Sequence, residues 1–198
     1  MDDAAAAVLR FWFGREDVPR KAWFQRRDAF DAEIRERFGE TIEGALRGDL
    51  DATWHASRDG LLAGILVLDQ FTRNAFRHTP RAFAGDASAQ ALARRVLDGG
   101  LDGAGPRWSP LRRQFVLMPL EHAEDLALQE ESVRRFRALA DEAEGGPHGA
   151  TLRDALDYAE RHREVIRRFG RFPHRNDILG RASRPGEVEF LREPRSRF

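Results

Sequence analysis

The sequence contains no cysteine. That excludes disulfides, thiolate metal ligands, a cysteine nucleophile and thiol redox switching. Lysine is almost absent as well: Lys21 is the only one among 33 basic residues. Positive charge is therefore carried by arginine, whose planar fork suits carboxylate and phosphate. Net charge is missing too, since 33 acidic residues balance the basic ones and the six histidines are neutral. Without a basic excess, broad attraction to nucleic acid or to a membrane surface has no electrostatic source, so neither partner is expected. The longest apolar run, Leu61 to Leu68, falls far short of the ~20 residues of a membrane helix. The first apolar run follows Asp2 and Asp3 and is broken at Arg10, so it does not read as an export signal. A cytoplasmic location is the expectation.

Several enzyme templates are also absent. There is no His-Glu-x-x-His pair, no Gly-x-x-x-x-Gly-Lys phosphate loop and no Gly-x-Ser-x-Gly elbow. No glutamate stands three residues before any histidine, which removes the usual di-metal carboxylate pattern of helix bundles. The sequence names no cofactor and assigns no metal ligands.

What is present is helical periodicity. The 198 residues are 41% hydrophobic and 33% charged, which suits one domain spanning residues 1–198. Phe30, Ile34, Phe38 and Ile42 form one stripe, with Asp28 before it and a Gly48 stop after it. Leu62, Ile65, Asp69, Arg73 and Phe76 repeat that spacing. A third helix is predicted over Asp86–Asp98, followed by Gly99-Gly100. A long helical stretch over Leu111–Asp141 is expected to divide or kink at Pro119. Leu152, Ala155, Ala159, His162, Ile166 and Phe169 mark another helix, and a short one follows Ser183. No run of alternating β-branched residues occurs. Loops are expected at Gly14–Arg20, Gly48–Thr53, Gly99–Pro110 and Gly145–Gly149. They are short enough to pack the helices as antiparallel hairpins. The expected fold class is all-α.

Three segments carry more polar specificity than packing needs. In Leu68-Asp69-Gln70-Phe71-Thr72-Arg73-Asn74, Asp69 and Arg73 are four apart, as are Gln70 and Asn74, so each pair shares a helix face. Asp69 can orient the Arg73 guanidinium towards a ligand, or the two can simply form an ion pair within the helix. In Pro119-Leu120-Glu121-His122-Ala123-Glu124-Asp125, His122 and Gln129 fall on the stripe of Phe115, Met118, Val133 and Phe136, with Asp125 beside them. Polar groups on a core-facing stripe need partners, and other buried protein groups can supply them. In the third segment His162 lies on an apolar stripe ahead of Arg168-Phe169-Gly170-Arg171-Phe172-Pro173-His174-Arg175-Asn176. Gly170 can end the helix in a left-handed turn, and the arginines then crowd one stiffened loop that suits an anion. The alternative is a clamp onto an acidic helix. Residues 119–144 hold eight acids and three arginines, while residues 161–198 hold eleven arginines and five acids.

These same strings carry a resemblance. With Phe11-Trp12-Phe13-Gly14, Trp23-Phe24, Leu179-Gly180-Arg181 and Phe190-Leu191, they make nearly the whole chain resemble a bacterial domain-of-unknown-function family, number 924. Thr72 stands where that family usually has proline, and Ala123 where it often has serine. The resemblance implies an all-helical array of antiparallel helix hairpins, tetratricopeptide-like (TPR-like) in arrangement. It implies no particular activity.

The reading that follows is a helical protein that binds a small acidic molecule or a peptide carboxylate. The candidate ligand-binding residues are Asp69, Arg73, Asn74, Glu121, His122, Asp125, His162, Arg171, His174, Arg175 and Asn176. Arg73, Arg171 and Arg175 would supply forked donors, and the three histidines would add hydrogen bonds that depend on protonation. Asp69, Glu121 and Asp125 would hold the basic groups, with Trp12, Trp23 and Phe172 as walls. Two rivals stand beside it. One is a hydrolase-type enzyme using a histidine–carboxylate pair, with or without a divalent metal. The other is a scaffold whose polar strings are wholly structural. Trp108 and its loop suggest a homodimer contact.

Overall fold

The computed structural model describes residues 3–15, 17–50, 52–99 and 108–196. Among these there is no β-strand, and ten α-helical segments follow one another: α1 (Asp3–Phe13), α2 (Asp28–Arg47), α3 (Ala52–His55), α4 (Arg58–Ile65), α5 (Thr72–Ala75), α6 (Asp86–Asp98), α7 (Pro110–Glu121), α8 (Leu126–Glu142), α9 (Gly149–Phe169) and α10 (Pro185–Phe190). The fold class is all-α, as the periodicity indicates. Short 3-10 turns at Lys21–Trp23, Pro80–Phe83 and Pro173–Arg175 are additions that periodicity does not reveal.

The predicted helix ends hold where a single residue sets them. Gly48 closes α2 at φ 82°, and Gly170 closes α9 at φ 70°, in the left-handed region that favours glycine. The break in the 111–141 stretch is displaced. It lies at residues 122–125 rather than at Pro119, which sits in the last turn of α7. Proline there forfeits only one bond, whereas the Asp125 carboxylate can start α8 by accepting from Leu128 N at 2.9 Å. Of the expected loop at Gly99–Pro110, residues 100–107 lie outside the described residues.

One continuous rod occupies the centre. It runs through α4, a π-helical segment over Leu66–Phe71, and α5. Every residue from Gly60 to Thr72 is buried, so this rod has no solvent face. Helices α1, α2, α6 and α7 surround it. Helices α7, α8 and α9 then pack on one another across short connections. A main apolar core gathers Trp12, Phe13, Trp23, Phe71 and Phe115 with the inner faces of α1 to α9. Val165, Ile166 and Phe172, with Phe169 and Phe190, form a second, smaller cluster. No helix among the described residues is long and apolar enough to cross a membrane.

Candidate functional site

The π-helical segment adds a residue to the turn that carries Asp69. One extra residue rotates everything after it by roughly 100° relative to a regular helix. Thr72 steadies the wide turn, its hydroxyl donating to Leu68 O at 2.7 Å. Asp69 is 1% exposed, and its carboxylate is met from three sides. Arg73 Nη1 lies 3.1 Å from Asp69 Oδ1, the Gln70 amide donates to Oδ2, and His122 Nδ1 lies 2.7 Å from Oδ1.

These contacts belong to a closed ring. Arg73 Nη1 also reaches Asp86 Oδ1 at 2.9 Å, at the first residue of α6. The other oxygen of Asp86 pairs with Arg175 Nη1 at 3.1 Å. Arg175 Nη2 donates to the carbonyl of His122 at 3.0 Å, and the His122 ring returns to Asp69. Asp69, Arg73, Asp86, Arg175 and His122 thus form one circuit, drawn from the central rod, α6, the end of α7 and the turn after α9. Glycine makes the α6 link. A Cβ at Gly85 would fall inside contact distance of the Leu68 carbonyl, so only glycine lets α6 approach the rod this closely.

A second pair abuts the ring. His162 Nδ1 donates to Tyr158 O at 2.8 Å and lies 3.1 Å from Glu121 Oε1. The His122 and His162 ring centroids are 6.1 Å apart. Phe172 packs on His162, with centroids 5.4 Å apart, and on His174 at 5.6 Å. The Arg175 guanidinium stacks 4.6 Å from the Phe83 centroid and 4.7 Å from that of Phe172.

The electrostatics separate the two carboxyls. Burial pushes Asp69 up, but Arg73 and His122 outweigh it and hold the carboxyl well below the usual range. Burial, reinforced by the charge of Asp69, pushes Glu121 up to about 8. Burial and the Arg73 charge lower His122 despite Asp69. Burial and His122 put His162 well below its ordinary value. Burial and the like charge of Arg73 lower Arg175 to about 10. Near neutral pH the site therefore holds an ionised Asp69, a protonated Glu121, two neutral imidazoles and two guanidinium cations.

The ring leaves hydrogen-bonding capacity unused. Arg73 Nη2 and Arg175 Nε are both shut off from solvent and make no hydrogen bond among the described residues, and Asp86 Oδ1, which faces Arg73 Nη1 as an ion pair, accepts no aligned hydrogen bond either. A buried donor without a partner costs about 1–3 kcal/mol. Their side chains are 18% and 7% exposed, so the Arg73 end of the ring lies nearer the surface. Among the described residues, no group of three or more histidine, aspartate or glutamate side chains has the arrangement to hold a metal ion.

The structure thus gathers Asp69, Arg73, Glu121, His122, His162 and Arg175, with His174 against Phe172. Other candidates lie in separate contacts. Asn74 donates to Asp31 Oδ1 at 2.6 Å, fastening the rod to α2. Asp125 caps α8. Arg171 forms a fork on Glu187 at 2.7 and 2.8 Å, and Asn176 bonds to Ser183 and Glu187. Trp12 and Trp23 stand against Phe115 in the main core rather than walling the site, because the Trp23 indole is tied to Trp12 O at 3.0 Å. Trp108 is buried and donates to Asp59 at 2.8 Å, and the loop before it, residues 100–107, lies outside the described residues. Two members of the site escape a reading of the sequence: Asp86 looks like an ordinary helix-start aspartate, and Phe83 sits in a 3-10 turn without a pattern.

The acidic stretch 119–144 and the basic stretch 161–198 do pair, at Glu124 and Arg181. Arg181 forks onto Glu124 at 2.6 and 2.9 Å, and Phe172 N donates to Glu124 Oε1 at 2.7 Å. The segment after α9 is thereby strapped to the α7–α8 corner, which is what delivers Arg175 to the ring.

Residues 8–195 match a family described as bacterial protein of unknown function, DUF924. No curated protein matches the sequence. The fold is similar to the solved structure of a protein of unknown function from Agrobacterium tumefaciens, with a TM-score of 0.80 and 37% sequence identity, covering 96% of this chain and 97% of that one.

Proposed function

The chain belongs to the bacterial DUF924 family, and from that premise we propose that it binds a small anionic molecule at the ring formed by Asp69, Arg73, Asp86, His122 and Arg175. One observation carries the reading: two buried guanidinium N–H groups, on Arg73 and Arg175, make no hydrogen bond among the described residues. Both guanidiniums are oriented by the same Asp86 carboxylate, which fixes their direction before a ligand arrives. A pre-oriented fork loses less entropy on binding, and a ligand oxygen would recover the cost of the stranded donors. Of the eleven candidate residues, Asn74, Asp125, Arg171 and Asn176 serve in this reading as fasteners rather than ligand contacts. The succession α7–α8–α9, with short connections and mutual packing, supports a tetratricopeptide-like arrangement as the frame.

Thermal shift tests this with acetate, succinate, sulfate and inorganic phosphate. At a hundredfold excess over Kd the parent should gain about 5–10 °C in Tm. Arg73→Lys and Arg175→Lys keep the charge but lose the spare N–H, so they should lose most of that gain, while Arg171→Lys should keep it. A parent that no anion stabilises beyond the two ring variants would overturn the reading.

The histidine–carboxylate pairs also favour a second reading, acid–base catalysis at this site. Its support is the separation of Asp69 and Glu121, one ionised and one protonated, a division of labour that acid–base enzymes use. Turnover that vanishes in His122→Gln but persists in Arg171→Lys would carry it.

A further inference from the structure

We infer that the ligand of this ring is a small monocarboxylate with a hydroxyl on the neighbouring carbon, because the ring holds two stranded guanidinium N–H donors for an anionic group and, on its His122 member, an acceptor for a hydroxyl. This rests on the anion reading above and adds the class of anion.

The acceptor is His122 Nε2. The ring nitrogen facing Asp69 is Nδ1, at 2.7 Å from Oδ1. An ionised carboxylate only accepts, so the proton between them belongs to Nδ1. In a neutral imidazole the other nitrogen then bears the lone pair. Burial and Arg73 keep His122 neutral, and Asp69 keeps its own charge. The Nδ1 contact is the one hydrogen bond of the His122 ring among the described residues, and the side chain is 11% exposed. Nε2 is thus an acceptor without an internal donor, in the ring that also carries the stranded N–H groups of Arg73 and Arg175.

Charge selects the class further. Asp69 and Asp86 balance Arg73 and Arg175, while the neighbouring Glu121 is neutral near pH 7. A monoanion adds one charge to that buried balance and a phosphate dianion adds two, at a much greater desolvation cost. An ammonium in place of the hydroxyl would face the same Arg73 charge that holds His122 neutral.

Calorimetry with glycolate, acetate and inorganic phosphate tests the inference on the full chain. Glycolate should bind the parent at least about tenfold tighter than acetate, the difference a single well-placed hydrogen bond makes. Phosphate should bind more weakly than glycolate at pH 7.5. His122→Phe should bring glycolate and acetate to within about twofold of each other. Should that variant fail to fold, 15N NMR of the parent replaces it: the His122 Nε2 resonance should shift on adding glycolate and stay with acetate. Equal affinity for glycolate and acetate, or tighter phosphate, overturns this inference while leaving the anion reading intact. If none of the three binds, both readings fall.

Discussion

The carboxyl of Glu121 shows how much a single side chain in this site can weigh. In the unfolded chain it ionises near 4.5, and in the fold at about 8. Between those values the native state holds a proton that the unfolded state has released, so stability falls as pH rises through the window. His122 and His162 act in the opposite sense. Both are held neutral in the fold, so below about 6.5 the unfolded chain takes up protons that the native chain does not, and stability falls as pH drops. The two slopes cross near pH ~6.5, where urea unfolding should give the greatest stability. Glu121→Gln removes the alkaline slope. Its advantage over the parent should be absent near pH 4 and reach about 2–4 kcal/mol by pH 9. Stability that climbs steadily from pH 7 to 9 in the parent would refute a protonated Glu121. The spacing of Asp69 and Arg73 was legible in the sequence. The proton on Glu121 was not, because it depends on burial and on a charge from a distant part of the chain.

Among the elements, the join between the π-helical segment and α6 is the least tolerant. Gly85 lies against the Leu68 carbonyl, and the next residue, Asp86, holds both ring arginines. Gly85→Ala should push α6 outward, cost roughly 1–3 kcal/mol by overpacking, and weaken anion binding more than tenfold although no ring residue has changed. Unchanged binding in that variant would separate Asp86 from the site. The strap after α9 is a second such element. It is fastened at Glu124, whose carboxylate accepts from Phe172 N and the Arg181 fork. Glu124→Gln should raise amide exchange across residues 170–191 at least tenfold while leaving the central rod protected. Equal loss of protection everywhere would mean that the strap is not a separate unit. The sequence announced the start of α6 at Asp86 and the end of α9 at Gly170, since a helix end is a local matter. It gave no sign of the π-helical segment, whose apolar residues read equally well as a regular helix.

Across the whole molecule, two apolar clusters divide the stabilising burial. Phe115 lies in the larger one, against Trp12, Phe13 and Trp23. Phe115→Ala should cost about 3–5 kcal/mol and lower the midpoint for the entire chain. All four tryptophans belong to that cluster, so their fluorescence reports it alone. Phe172→Ala, in the smaller cluster, should leave the fluorescence midpoint close to the parent's while protection of the strap is lost. Matching fluorescence losses in the two variants would mean one cooperative core. The helical class, most helix ends and the three polar segments were set by the sequence alone, because periodicity, caps and i,i+4 spacing act within a few residues. Only the tertiary structure decided which polar residues meet. Arg171 and Arg175 are the same residue type, four apart in one loop, yet one is spent on Glu187 and the other closes the ring through Asp86. That choice depends on acids contributed by α10 and α6, and no local pattern specifies which of two neighbouring arginines a remote carboxylate will reach.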